Sequence, residues 1–188
     1  MLLGLDVGGT FTDAVIIDGH RVVATAKRRT TKDNLMNGIG EALDAVLEGY
    51  DTSNIEQVTL STTVVTNTIV EEKEQVVDLY VITGPGRNVD DIFPVEPIYL
   101  QGYTDHRGIV VEHTPADAVR GIANMVQARS GTDLAAVSAK FGVRNPHEEL
   151  SITEELKNTY HTISNGSLLS GSLNFPRRTI SAYFNSAV

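Results

Sequence analysis

The sequence predicts an α/β fold, a mixed sheet in βββαβαβ order with helices on both faces. Three observations predict it. Three short β-rich runs fill the first 28 residues, an amphipathic helical stretch follows, and apolar strands then alternate with capped helices. A chain patterned in this way layers helices over a sheet.

The first strand is the apolar run Leu2 to Val7. Phe11 to Ile17 and Arg21 to Ala26 flank Asp18-Gly19-His20. Asp-Gly between two β-rich runs predicts a hairpin whose two central residues take positive φ. Asn34 to Glu48 carries Leu35, Met36, Ile39, Leu43, Val46 and Leu47 on one face at the helical period. Thr31 or Asp33 is placed to cap that helix and Gly49 to end it. Gln57 to Thr62 reads as a strand. Val64 to Glu72 is ambiguous, because its β-branched residues favour a strand while their spacing fits a short helix.

Val76 to Thr83 is a strand running into Gly84-Pro85-Gly86. Residues 84–108 lack a period and read as a loop excursion with short strands. Thr114-Pro115-Ala116-Asp117 starts a helix, with Thr as cap, Pro at the first helical position and Asp in the first turn. That helix runs to about Arg129. Leu134 to Ala139 is a buried strand, Asn145-Pro146 opens a helix to about Asn158, and Tyr160 to Ile163 is a last strand. Pro176 to Ala187 closes the chain as an amphipathic helix, with Ile180, Tyr183, Phe184 and Ala187 in search of a packing partner.

The 188 residues suffice for one domain or one large lobe. The reading is a single N-terminal lobe, 1–188, of a longer two-lobe enzyme. There is no cysteine, which excludes a zinc–thiolate site, a redox dithiol and a thiol nucleophile. With 15 Lys and Arg against 24 Asp and Glu, the net charge is −9. That charge is wrong for nucleic acid, whose binding is driven by cationic displacement of counterions. No apolar run approaches the ~20 residues that span a bilayer. Met1 to Asp6 lacks a basic leader region. The expectation is a soluble, cytoplasmic protein with no membrane or nucleic-acid partner.

The chemistry concentrates in Gly4-Leu5-Asp6-Val7-Gly8-Gly9-Thr10-Phe11-Thr12-Asp13. A strand delivers the Asp6 carboxylate to its C-terminal end. Gly8 and Gly9 lack Cβ atoms, so the backbone can approach a ligand closely and adopt positive φ. Consecutive N–H groups in such a turn make a concavity for anions. The hydroxyls of Thr10 and Thr12 add donors. Asp6 cannot face a phosphate directly, but it can hold Mg²⁺ through water, since that ion keeps much of its hydration shell. Asp13 either holds water or metal or ties down the Thr12 turn; strand alternation does not choose. Neither a Rossmann G-x-G-x-x-G nor a Walker A loop is present.

Elsewhere the signals are weaker. His147 reads as a surface residue at a helix start. His106 and His113, near Asp105 and Glu112, suggest a metal site less well than solvated loop residues. Glu71-Glu72-Lys73-Glu74 reads as a charged turn, and Lys140 as a surface lysine at a strand end.

Gly4 to Thr10 resembles the first phosphate motif of the actin-like ATPases, whose lobes are ribonuclease H-like. Extended through Asp13, it is similar to the hydantoinase/5-oxoprolinase branch. That branch carries a second signature, Gly-Thr-Thr-Val-Ala-Thr-Asn, which stands here as Ser61-Thr62-Thr63-Val64-Val65-Thr66-Asn67, followed by Glu71. Arg144-Asn145-Pro146-His147-Glu148 resembles the family's Asn-Pro-x-His-Glu, one residue short. Arg178-Thr179 with Asn185-Ser186-Ala187 resembles its ending. Ser61 replaces a usual glycine, and Gly84-Pro85-Gly86-Arg87-Asn88 departs from the usual Gly-Phe-Arg-Asp.

The resemblance implies an enzyme that uses ATP and Mg²⁺ to phosphorylate the carbonyl oxygen of a cyclic amide, such as 5-oxoproline or a hydantoin, so that water can open it. Asp6, Thr10 and Thr12 would be catalytic, with Asp6 the metal ligand. Gly8, Gly9, Thr10, Thr12 and Asp13 would hold the nucleotide, and Thr62, Thr63 and Asn67 would face the substrate or the γ-phosphate. Related carboxylase subunits share the N-terminal signature. A lobe of an actin-like small-molecule kinase and a nucleotide-dependent regulatory module are the alternatives. No second Asp-x-Gly-Gly-like segment follows, so the adenosine half of the site would come from a second lobe or a partner subunit, and a homo-oligomer stays open. The 188 residues alone are expected to bind ATP weakly without turnover.

Overall fold

The computed structural model describes residues 1–31, 33–86 and 90–188, in two compact units, Met1–Lys73 and Glu74–Val188. Arg87 and Asn88, part of one departure from the family pattern, lie outside the described residues.

The first unit is built on β1 (Leu2–Val7), β2 (Phe11–Asp18), β3 (Arg21–Arg29), α1 (Leu35–Leu47), β4 (Gln57–Thr62) and α2 (Val64–Val70). Its sheet runs β3-β2-β1-β4, antiparallel except for the parallel pair β1 and β4. Alternation puts Leu3, Leu5, Ala14 and Ile16 on one face, where Ala42 and Val46 of α1 close the core. Asp6 and Asp13 pair across β1 and β2 on the opposite face.

Local chemistry corrects two sequence expectations here and resolves a third. The β2–β3 turn is centred on Gly19-His20, since Asp18 pairs with Arg21. Gly19 has φ 58° and His20 is not at positive φ, as in turns with glycine at the first central position. The cap of α1 is Asn34, whose side chain accepts the Met36 N–H at 3.0 Å. Thr31 instead accepts the Gly38 N–H at 2.9 Å and donates to the Asn34 carbonyl. Val64–Val70 is a helix, which resolves the ambiguous stretch.

That helix ends in a Schellman turn. The Lys73 N–H reaches the Thr68 carbonyl at 2.9 Å and the Glu72 N–H the Ile69 carbonyl at 3.2 Å. Glu72, at φ 52°, takes the left-handed position that glycine usually fills, and among the described residues no other non-glycine does so.

The second unit holds β5 (Asp78–Ile82), β6 (Ile98–Tyr99), β7 (Tyr103–Thr104), β8 (Val110–Glu112), α3 (Ala116–Ser130), β9 (Leu134–Ala139), α4 (His147–Leu156), β10 (Thr162–Asn165), α5 (Gly166–Leu169) and α6 (Phe175–Ala187). Its main sheet, β10-β9-β5-β6, is all parallel, and β7 and β8 form a separate ribbon. Every residue of β5 and β9 is buried, as a parallel sheet covered on both faces requires. Tyr80, Ile82, Val137 and Ala139 pack with Val119 and Ala123 of α3 and with Ile152 and Leu156 of α4. Leu79, Val81 and Ala136 pack with Phe175, Ala182, Tyr183 and Ala187 of α6. The closing helix therefore finds its packing partner within its own unit.

Two more boundaries move. Pro115 is the residue before α3, and Thr114 does not cap it, because its hydroxyl donates to the Gln101 carbonyl at 2.6 Å. The last strand starts at Thr162, since the Tyr160 N–H is still held by the Leu156 carbonyl at 2.9 Å. Among the described residues no helix is long and apolar enough to cross a membrane.

Candidate functional site

Because β1 and β4 are parallel neighbours, whatever follows each strand emerges at the same edge of the sheet. The segment after β1 is Gly8-Gly9-Thr10, and the segment after β4 is Thr63 with α2. A bond from the Thr63 N–H to the Val7 carbonyl, 3.3 Å, ties the two exits together. They line one open hollow of about 640 Å³. Gly8, Gly9, Thr10, Thr63 and Asn67 contribute to its wall, and so do Thr30, Leu35, Thr68, Glu71 and Lys73.

The glycines serve close approach. Neither Gly8 nor Gly9 sits at positive φ, contrary to one expected reason for them. A Cβ on Gly9 would lie 2.9 Å from the Asn67 amide nitrogen, and one on Gly8 would lie 3.0 Å from the Phe11 carbonyl. The Gly8 N–H closes the β1–β2 turn on that carbonyl at 3.0 Å. Among the described residues, the Gly9 and Thr10 amides have no such bond and remain for a ligand.

Thr12 is buried, with 1% exposure, and does not line the hollow. It supports the turn from behind. The Thr30 hydroxyl donates to the Gly8 carbonyl at 2.7 Å, which leaves Thr12 to donate to Thr30 at 3.1 Å. The Thr62 hydroxyl likewise donates to the Val7 carbonyl at 3.2 Å and stays out of the hollow. Asn67 donates to the Thr63 hydroxyl at 3.3 Å.

Asp6 and Asp13 lie elsewhere. They share a second hollow of about 490 Å³ on the sheet face away from α1, with Gly4, Val15, Lys27 and Thr59. Lys27 neutralises Asp13 at 2.6 Å. Asp6 is exposed, and among the described residues its carboxylate has neither ion pair nor hydrogen-bond partner. Of the cross-strand pair, Asp6 is thus the carboxylate without a counter-ion among the described residues, and it lines a different hollow from Gly9 and Thr10.

Sequence reasoning missed Thr30 and Lys73. Thr30 reaches the site only because β3 returns beside the turn: its N–H bonds the Thr10 carbonyl at 3.0 Å. Lys73, read as part of a solvated charged turn, is swung to the hollow by the Schellman turn and pairs with Glu71. The signal available in the sequence was the helix end.

The remaining family-like residues belong to the second unit and are structural ties. Asn145 donates to the Gly108 carbonyl at 3.0 Å and accepts the His147 N–H at 3.1 Å. Arg178 is fully buried, donating to the carbonyls of Ser172, Ala139 and Lys140. Thr179 bonds Ser138, and Ser186 bonds the Ala135 carbonyl. Asp105 bonds Arg107 and the Ile109 N–H, so it is not paired with His106. His113 turns to Glu148, at 2.8 Å, rather than to Glu112. Burial works to raise the Glu148 carboxyl, but the Thr114 N–H and the imidazoles of His113 and His147 outweigh it and hold the group below its ordinary value.

The family described as the hydantoinase/oxoprolinase N-terminal region matches residues 2–160. No curated protein matches the chain in sequence. Two solved structures share its fold. A nucleotide-free acetone carboxylase chain superposes with a TM-score of 0.74 over 99% of this chain and 32% of its own, at 17% identity. An ATP-dependent caprolactamase from Pseudomonas jessenii superposes with a TM-score of 0.61 over 100% of this chain and 31% of its own, at 19% identity. The α/β, ribonuclease H-like architecture expected from the sequence agrees with both, and this chain spans about a third of each.

Proposed function

Because the chain belongs to the hydantoinase/oxoprolinase N-terminal family, we propose that it is the phosphate-binding lobe of a longer, two-lobe ATP-dependent enzyme that activates the carbonyl of a cyclic amide by phosphorylation. The observation that carries this reading is the meeting of the two signatures: Gly9 and Thr10 after β1 share one hollow with Thr63 and Asn67 after β4.

Phosphoryl transfer asks a protein for positioning and charge neutralisation more than for covalent chemistry. The Gly9 and Thr10 amides and the Thr10 hydroxyl take phosphate oxygens. Thr63 and Asn67 orient the acceptor carbonyl, or the γ-phosphate beside it. Thr12 and Thr62 act one layer back, the first through Thr30 and the second by fixing the end of β1. Asp6 holds Mg²⁺ through water, and Asp13 keeps Lys27. Mg²⁺ held at Asp6 would supply positive charge to a nucleotide whose phosphates extend toward it from the turn at Gly9 and Thr10. The adenosine half of the site comes from the second lobe or from a partner subunit, and the setting is the cytoplasm.

A subunit of an ATP-dependent carboxylase is the second reading, favoured by the likeness of fold to the acetone carboxylase chain. Phosphate release by the longer protein separates them. Dependence on 5-oxoproline, a hydantoin or a lactam supports the first; dependence on bicarbonate with a ketone supports the second. Release independent of both, or lactam-dependent turnover by residues 1–188 alone, overturns the proposal.

A further inference from the structure

A cluster in the second unit, independent of the phosphate site, has the donor set of a metal centre. His113 follows β8, and His147 and Glu148 open α4. One ligand atom from each lies within 4.8 Å of the others. A single carboxylate oxygen, Glu148 Oε1, receives both imidazoles, with His113 Nδ1 at 2.8 Å and His147 Nδ1 at 3.2 Å. The two rings meet edge to face, with centroids 5.6 Å apart.

We propose that His113, His147 and Glu148 bind a divalent transition-metal ion of the zinc type, with water completing the coordination. Zinc takes imidazole nitrogen at about 2.0–2.1 Å and carboxylate oxygen at about 2.0–2.2 Å, so ligand atoms around it stand roughly 3.3 Å apart. The two nitrogen–oxygen separations, 2.8 and 3.2 Å, are both shorter than this, and a small rotation of each ring opens them. Two imidazoles and one carboxylate select a borderline first-row ion, whereas Mg²⁺ or Ca²⁺ would ask for oxygens throughout.

The support around the cluster suits the role. Glu148 is 2% exposed, and its second oxygen is fixed by the Thr114 N–H at 2.8 Å, the kind of outer bond that orients a ligating carboxylate. Asn145 holds the backbone of His147. The imidazole side chains are 71% and 60% exposed, which leaves a route for the ion and room for water. Against binding stands the positive end of α4. The Glu148 carboxylate lies at that end and offsets it behind the exposed imidazoles. Bound metal would clamp the entry to α3 against the start of α4.

The test uses the 188-residue chain stripped with EDTA and titrated with Zn²⁺, and with Co²⁺ for its visible spectrum. One equivalent should bind. His113→Ala and His147→Ala should each weaken binding roughly 10-fold or more. His106→Ala and His161→Ala should bind as the unsubstituted chain does. Zn²⁺ should raise the Tm of the unsubstituted chain and leave that of the His113→Ala/His147→Ala chain unmoved. Both substituted side chains are exposed, so an unchanged metal-free Tm verifies the fold of the variants. Absence of stoichiometric uptake, or equal uptake by the double variant, overturns the site.

Discussion

Glu149→Gln is the substitution whose cost the structure sets best. Glu149 is fully buried. Oε1 accepts the Ala139 N–H at 2.7 Å; Oε2 accepts the Ser167 N–H at 2.8 Å and the Ser167 hydroxyl. A glutamine has one acceptor oxygen and turns an NH₂ toward one of those two N–H donors. Gly142 leaves room for this carboxylate, since a Cβ there would fall 2.3 Å from Oε1. One buried backbone donor is therefore orphaned, at roughly 1–3 kcal/mol. Glu149 is also the charge that compensates buried Arg178. Burial pushes the Arg178 guanidinium down and Glu149 draws it back up. The acceptors of Arg178 are neutral carbonyls, and among the described residues its Nε has none. No salt bridge joins the two side chains among the described residues, so the orphaned donor sets the scale and the expected loss is roughly 1–3 kcal/mol. In urea, where m is about 1–3 kcal/mol/M, the midpoint should fall by roughly 0.5–1 M.

Amide hydrogen exchange locates the damage. The Ala139 and Ser167 amides should lose protection before those of β1 and β2. Glu149→Gln combined with Arg178→Met should cost less than the sum of the two single substitutions, because the double variant removes both charges. A single-variant loss under about 0.5 kcal/mol, below the cost of one orphaned donor, or strict additivity, would refute this account of the core.

Three further outcomes are expected. Gly9→Ala places a Cβ 2.9 Å from the flexible end of Asn67, so stability should change by less than about 1 kcal/mol, while a displaced Asn67 should cost the longer enzyme on the order of 10²-fold in ATP-dependent turnover; steady-state kinetics and thermal melts check both. Glu72→Gly relieves a left-handed glutamate and should stabilise the chain by about 0.5–1 kcal/mol, read from chemical denaturation. Burial pushes the Tyr80 hydroxyl up to about 12 from 10.0, partly offset by its bond with Tyr160 and aided by the Asp78 charge. A raised tyrosine keeps its proton in the folded state, so this contribution is intact below the ordinary value and is lost as pH rises from 10.0 toward 12; Tyr80→Phe should flatten that loss in denaturation measured across the same window.

Much of the fold was legible because its cause is local. The exact bounds of Leu134–Ala139 follow from an apolar run between breakers, and those of Gln57–Thr62 from a stretch in which Val58 and Leu60 alternate with polar residues. What stayed illegible depended on neighbours distant in sequence. Thr114 and Thr31 have the chemistry of caps, yet their hydroxyls are claimed by the Gln101 and Asn34 carbonyls. Thr12 and Thr62 have the chemistry of phosphate ligands, yet the pleat turns Thr12 inward and Val7 holds Thr62. Thr30 and Lys73 enter the hollow through the return of β3 and the end of α2, neither of which a linear motif displays.

The family-like residues divide by the physics that would keep each of them. Gly9 and Asp6 of the first unit face open space: Gly9 has room for no Cβ beside Asn67 and leaves its amide unspent, and Asp6 lacks the cation that Asp13 has. Their residue types make little sense for stability alone. Those of the second unit are consumed internally: Arg178, Thr179 and Ser186 are buried with bonds to backbone or to one another's neighbours. A change at Asp6 or Gly9 should therefore alter nucleotide handling with little effect on folding, and one at Arg178 should do the reverse. His113, His147 and Glu148 fit neither class. The two exposed imidazoles contribute little to a core, and the buried carboxylate they converge on is remote in sequence from the phosphate motifs, which is why a separate ligand explains them better than either role.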